Sequence, residues 1–294
     1  MSALESFLMD SLIQTQRKQF HRELLEKRIL TIDSHGVVSN ADKGNRLSRE
    51  VSLAIAEKLK AQTYLTRLAG QSSGSQFEVA CCTFIHNTFL NFSRLRPGKW
   101  QVEQIGNVRN LAIARYQQYA HLKVLADIQK ENPVLSTALG SDYTITPDVV
   151  VVRNLETDSD INQDHYLVDP QHAKLASIRA LGQTLPLLHA SISCKWTIRS
   201  DRAQNARSEA LNLVRNRKGR VPHVVVITGE PLPSRLASLA LGTGDIDCVY
   251  HFALYELMEA LEEGQREDAL DMLNTMVQGD RLKDISDLPL DLTV

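Results

Sequence analysis

The spacing of apolar positions along this chain changes several times, and each change marks an element. Leu4, Phe7, Leu8, Leu12, Phe20, Leu24 and Leu25, set among many charges, predict helix over residues 4 to 30. Gly36 to Asn45 is turn-rich and polar, and Val51, Ile55 and Leu59 predict a second helix from about Ser48. After the small polar segment Gly70 to Gly74, Ser75-Gln76-Phe77-Glu78 has the spacing of a capping box. Phe77, Cys81, Phe84, Ile85, Thr88 and Phe92 then follow at helical spacing until Arg96-Pro97-Gly98. Trp100 to Ile105 reads as a short strand, and a long helix is predicted from about Asn107 to Asn132, stopped by Pro133.

The second half alternates strands with helices. Thr146-Pro147-Asp148 opens the β-branched block Val149 to Val152, a buried strand with a carboxylate at its start. A polar acidic loop from Glu156 to Asp164 and a helix around Lys174 to Leu181 come next. Leu188, Ala190, Ile192 and Cys194 then alternate with His189, Ser191, Ser193 and Lys195, the pattern of a strand with one apolar and one polar face. Ser193 and Lys195 therefore point the same way. A helix from about Gln204 to Arg217, a buried strand from His223 to Thr228, a loop at Gly242-Thr243-Gly244, a strand near Val249 to Leu254 and an acidic helical stretch from Tyr255 to Met276 complete the order. This is an α/β layered architecture, a mixed central sheet flanked by helices. One elaborated domain over 1–294 is expected, with a helical part to about 135, a sheet core from about 140 to 255 and an acidic helical tail from about 255.

Composition narrows the setting. Four cysteines at 81, 82, 194 and 248 form no CxxC pair and no zinc-ligand spacing, which fits a reducing cytoplasm. The first twenty residues lack a basic segment followed by an unbroken apolar one, and no run approaches membrane-spanning length, so a cytoplasmic protein without membrane attachment is expected. The net charge of −2 hides segregation. Lys195 to Arg220 holds eight Lys/Arg against two Asp/Glu, whereas Glu256 to Asp291 holds three against eleven. That split permits a nucleic acid on one face, although charge alone favours the plainer account of two solvated helices of opposite sign.

Phosphodiester hydrolysis needs an anionic pocket for a divalent metal, a water in line with the scissile bond and a cation near water or phosphate. Asp148 and Glu209 can supply the pocket and Lys195 the cation. With 46 residues between Asp148 and Lys195 and 13 between Lys195 and Glu209, they fit neighbouring strands and the following helix.

Pro147-Asp148, Ser193-Cys194-Lys195 and Glu209 together resemble the rearranged PD-(D/E)-x-K motif of the NgoMIV-type restriction endonucleases, a family that acts on sites with a CCGG core. Ser193 stands where the common motif has an acid, and Glu209 matches the carboxylate moved to the next helix. Glu78 matches the family's additional acidic residue. The resemblance covers nearly the whole chain and implies a restriction-endonuclease-like fold, Mg²⁺ held by Asp148 and Glu209, and double-stranded DNA as substrate. It also implies a homodimer or homotetramer, and a methyltransferase in the same cell with no stable complex.

Arg199-Ser200-Asp201-Arg202 adds a second signal. Two arginines can each grip O6 and N7 of a guanine while an aspartate accepts from cytosine N4, the inventory a CCGG palindrome needs. The resemblance assigns that reading to Arg199, Asp201 and Arg202. It assigns flanking contacts to Arg235, Asp42 and Gln71, extending the site to GCCGGC.

Each signal has a plainer account. Pro147-Asp148 can be a strand entry, Lys195 a rim residue, Glu78 the third residue of a capping box, and the arginine run a solvated helix start. His189 and Cys194 are read as packing residues, and Gly242 to Asp245 lacks the lysine of a phosphate loop. What favours chemistry is co-occurrence in one basic window. Two other functions stay open: a repair or recombination nuclease of the same superfamily, and a DNA-binding regulator with no use for metal.

Overall fold

The computed structural model describes residues 10–64, 70–105, 112–131, 145–198, 200–242 and 244–294, without the side chains of residues 70, 71 and 200–203. Its centre is a six-stranded mixed sheet in the order β1 (Trp100–Gln104), β2 (Val149–Arg153), β3 (Leu187–Lys195), β4 (His223–Thr228), β5 (Cys248–His251) and β6 (Leu282–Asp284). The first three strands are antiparallel neighbours, and β3 to β6 are parallel. Parallel neighbours need crossovers, and helices supply them. α6 (Ser200–Asn216) joins β3 to β4, α7 (Pro233–Ala240) joins β4 to β5, and α8 (Leu254–Glu263) with α9 (Glu267–Gln278) joins β5 to β6.

Before the sheet come α1 (Leu12–Glu26), α2 (Arg46–Lys58) and α3 (Gly70–Phe89). Ser11 caps α1 by accepting from Gln14 N at 3.1 Å, and Asn45 caps α2 by accepting from Ser48 N at 2.9 Å. Phe77, Cys81, Phe84 and Ile85 bury one side of α3, which lies across β1, β2 and β3. On the other side of β3, Ala206, Ala210 and Leu213 of α6 close over Ser191 and Ser193. Val149 to Val152 are all buried because helices cover both faces, so no alternation is needed there.

Five expectations need correction. α3 begins at Gly70, so Ser75 is an exposed residue inside the helix and Glu78 is no capping glutamate. The predicted helix from Asn107 to Asn132 lies partly outside the described residues; within them the chain makes short 3-10 turns at Ala112–Arg115 and Gln117–Tyr119 before α4 (His121–Glu131). Tyr116 is extended there, and Gln118 donates to Leu188 O at 2.7 Å and accepts from Leu188 N at 3.0 Å. Those bonds hold the chain against β3 at the cost of helical continuity.

No helix forms at Lys174 to Leu181. The segment instead wraps the fully buried Arg179, which reaches the Asp158 carboxylate at 2.6 Å and the carbonyls of Asp169 and His172. Its acidic neighbour is not all loop, since Thr157 and Asp160 form a capping box on the one-turn α5 (Asp158–Ile161). The polar face predicted for β3 is also largely buried. Ser191 lies beneath α6, and His189, the extra residue of a bulge between Val151 and Val152, packs its ring on Phe89 and Trp100. A last turn, α10 (Leu288–Asp291), brings Leu292 O to 2.8 Å from His189 Nε2.

Candidate active site

The site lies at the C-terminal end of β3, where the sheet passes from antiparallel to parallel pairing. β2 starts at Val149 and runs antiparallel to β3, with Val149 opposite Ile192, so Asp148 reaches the last residues of β3. Its Oδ2 accepts from Cys194 N at 2.7 Å and from Lys195 Nζ at 2.8 Å, with Ser193 Oγ at 3.5 Å. This register directs three consecutive residues of β3 at one carboxylate oxygen.

Burial by itself would lower the Lys195 pKa, but the adjacent Asp148 outweighs it and leaves the pKa raised. The lysine is therefore a fixed ammonium cation. Glu209 approaches from α6, lines a recess with Pro147, Ser191 and Ser193, and accepts a backbone hydrogen bond from Thr146. Burial lifts its pKa to about 7; Lys195 opposes the shift and Asp148 adds to it. Glu78 comes from α3, half-buried, with its pKa raised by burial and by Asp148, while Lys195 and a bond to Gln104 pull it down.

From opposite sides of β3, Glu78 and Glu209 thus each come within reach of the charges of Asp148 and Lys195. Among the described residues no three His, Cys, Asp or Glu side chains are drawn together as a ready-made cage. The carboxylates nevertheless fit a hard divalent ion. Burial, the first cause of the raised Glu209 and Glu78 pKa values, disfavours their ionised forms, a cost that a bound cation would offset, and oxygen is the donor such ions select.

Arg199 lies outside the described residues; Ser200, Asp201 and Arg202 form the first turn of α6, and the backbone of Gln71 sits in the first turn of α3. Arg235, on α7, is ion-paired with Asp42, so the structure joins these two. Glu230 was not singled out by the sequence reading, although it is wholly buried and within 3.6 Å of Arg235. Gln104 was missed too. An acid after Thr-Gly and an amide at a strand end are too common in sequence to stand out.

The family model described as NgoMIV restriction enzyme matches residues 20–294. The chain belongs to this family. It is 58% identical over 286 residues to the type II restriction enzyme NgoMIV of Neisseria gonorrhoeae, covering 97% of this chain and 100% of that protein. By that membership it is a type II restriction endonuclease with the mixed-sheet fold described above. A structural comparison matches the type IIF restriction endonuclease Bse634I, solved with cognate DNA, at a TM-score of 0.38 and 14% identity, over 88% of this chain and 92% of that one. No helix among the described residues is long and apolar enough to cross a membrane.

Proposed function

We propose that this restriction endonuclease hydrolyses double-stranded DNA at a palindrome with a CCGG core, in the extended form GCCGGC, in a Mg²⁺-dependent reaction that leaves 5′-phosphates. The observation that carries the reading is the Asp148–Lys195 pair, 2.8 Å apart, faced by the Glu209 carboxyl from the helix that begins with Ser200-Asp201-Arg202. Asp148 and Glu209 would hold the ion, with Glu78 in support, and bound Mg²⁺ would supply Lewis-acid polarisation and a more acidic water. Lys195, held cationic, orients the attacking water or a phosphate oxygen beside it. Ser193 keeps its hydroxyl in the recess without adding charge. Water attacks phosphorus and loses a proton to solvent, the P–O3′ bond breaks, and O3′ takes a proton from solvent, giving a 3′-hydroxyl and a 5′-phosphate.

Arg199, Asp201 and Arg202 would read the core bases from the start of α6. The ion pair of Arg235 with Asp42 sets a guanidinium fork beside a carboxylate, and a G·C pair offers guanine acceptors beside a cytosine donor in the major groove. That match supports a flanking G·C pair, with Gln71 as a further contact. A two-fold site calls for at least a dimer, and a pair of dimers would hold two sites. The cell would be bacterial and the compartment its cytoplasm, with a methyltransferase protecting the same sequence.

The test is incubation of the protein with plasmid and Mg²⁺, followed by sequencing of the ends. Discrete cuts within GCCGGC carrying 5′-phosphates are expected. Cuts at branched or damaged DNA would favour a repair nuclease, and binding without cuts a regulator.

A further inference from the structure

We propose that Glu230 is a positioning residue for specificity, holding the backbone of Ile198, which leads into the core-reading segment, and the flank-reading Arg235 in one fixed frame at the end of β4. The inference rests on the base-reading roles proposed above for the residue 199–202 segment and for Arg235. Glu230 is fully buried, and its two oxygens face two different recognition elements. Oε2 accepts from Ile198 N at 2.8 Å, one residue before Arg199. Oε1 accepts from Leu232 N at 3.3 Å and lies 3.6 Å from Arg235 Nη1.

The frame continues into the catalytic strand. Thr228 Oγ1 donates to Lys195 O at 2.7 Å and accepts from Glu230 N at 3.1 Å, while Gly229 N donates to Lys195 O at 3.2 Å. Asn40, two residues before Asp42, donates to Gly229 O at 2.7 Å. Gly229 allows this closeness, because a Cβ there would stand 2.5 Å from the Trp196 ring. Thr228-Gly229-Glu230 therefore touches the backbone of the catalytic lysine, the residue preceding the core readers, and Arg235, whose other carboxylate partner is Asp42.

A buried carboxylate is costly unless its hydrogen bonds and a cation compensate it. Here the compensating groups belong to the reading elements themselves. Burial lifts the Glu230 pKa, with Ile198 N–H and Arg235 opposing.

In Glu230→Gln the single remaining oxygen can keep the stronger bond to Ile198 N. The amide nitrogen then faces Arg235, donor against donor. Competition binding of the full-length protein is measured with a GCCGGC duplex and with duplexes altered singly at outer and core pairs, for wild type, Glu230→Gln, Arg235→Ala and the double variant. Discrimination at the outer pair is expected to fall about tenfold in Glu230→Gln, the size of a weakened base contact, with core discrimination and melting temperature near wild type. The double variant should be no worse than Arg235→Ala alone, as for residues acting through one contact. Outer-pair discrimination unchanged in Glu230→Gln but lost in Arg235→Ala overturns the proposal and leaves the base-reading assignment standing. No change in either overturns both. Equal weakening toward all duplexes reduces Glu230 to a packing residue and also overturns it.

Discussion

At the scale of single residues, the site is a contest between charge and burial. Glu209 carries the sharpest consequence, with a pKa of about 7 against a usual 4.5. Its raised pKa means that the stabilisation is fully present below about pH 4.5 and is lost as pH rises through about 7, because the folded state resists the ionised carboxylate. Glu209→Gln stays neutral and escapes that loss. Without metal, its unfolding free energy, measured by denaturant titration, should gain on wild type between pH 5 and pH 8, toward a limit of roughly 3 kcal/mol. A flat difference over that range would refute the desolvated carboxyl.

Ser193 supports a second prediction. Its hydroxyl shares the recess that Glu209 lines and lies 3.5 Å from Asp148 Oδ2. Glu209→Ser should lose most cleavage, and adding Ser193→Glu should restore part of it, since a metal responds to where oxygens are and not to which element bears them. Recovery stays incomplete because a ligand misplaced by about 1 Å can cost on the order of a hundredfold. Cleavage rates at saturating Mg²⁺ give the test; a folded, DNA-bound double variant as inactive as Glu209→Ser removes the shared pocket.

At the scale of elements, α6 would link the proposed chemistry to the proposed recognition, with Arg202 in its first turn and Glu209 two turns later on the same helix. Arg202→Ala should cost about 1–3 kcal/mol of discrimination at one core pair, as for a lost bidentate guanine contact, while leaving affinity for unrelated DNA nearly intact. Uniformly weaker binding to all sequences would make Arg202 a phosphate contact. α3 shows how local signals mislead. Ser75 and Glu78 have capping spacing, yet the helix runs on from Gly70, and Glu78 is free to face Asp148 from its middle. Gln117 and Gln118 mislead in the same way, since their amides bond to Leu185 O and to Leu188 and end a helix that periodicity would have continued.

At the scale of the molecule, the palindromic site proposed above would make the assembly part of the specificity. If two dimers engage two sites, a plasmid with two GCCGGC sites should be cut faster than a one-site plasmid at equal site concentration. A short cognate duplex should then rescue the slower one. Equal rates with a dimeric mass in solution would exclude it. The sequence by itself determined the strand bearing Ser193 and Lys195, the valine block behind Asp148 and the helix carrying Glu209, because period and β-branching act over a few neighbouring residues. The tertiary structure alone decided that Asp148 Oδ2 gathers the amide and ammonium of Cys194 and Lys195, that Arg179 replaces a helix, and that Glu230 bridges Ile198 and Arg235. Those contacts join residues between 21 and 47 positions apart, or 5 and 32 across Glu230. Their strength comes from burial that only the assembled layers create.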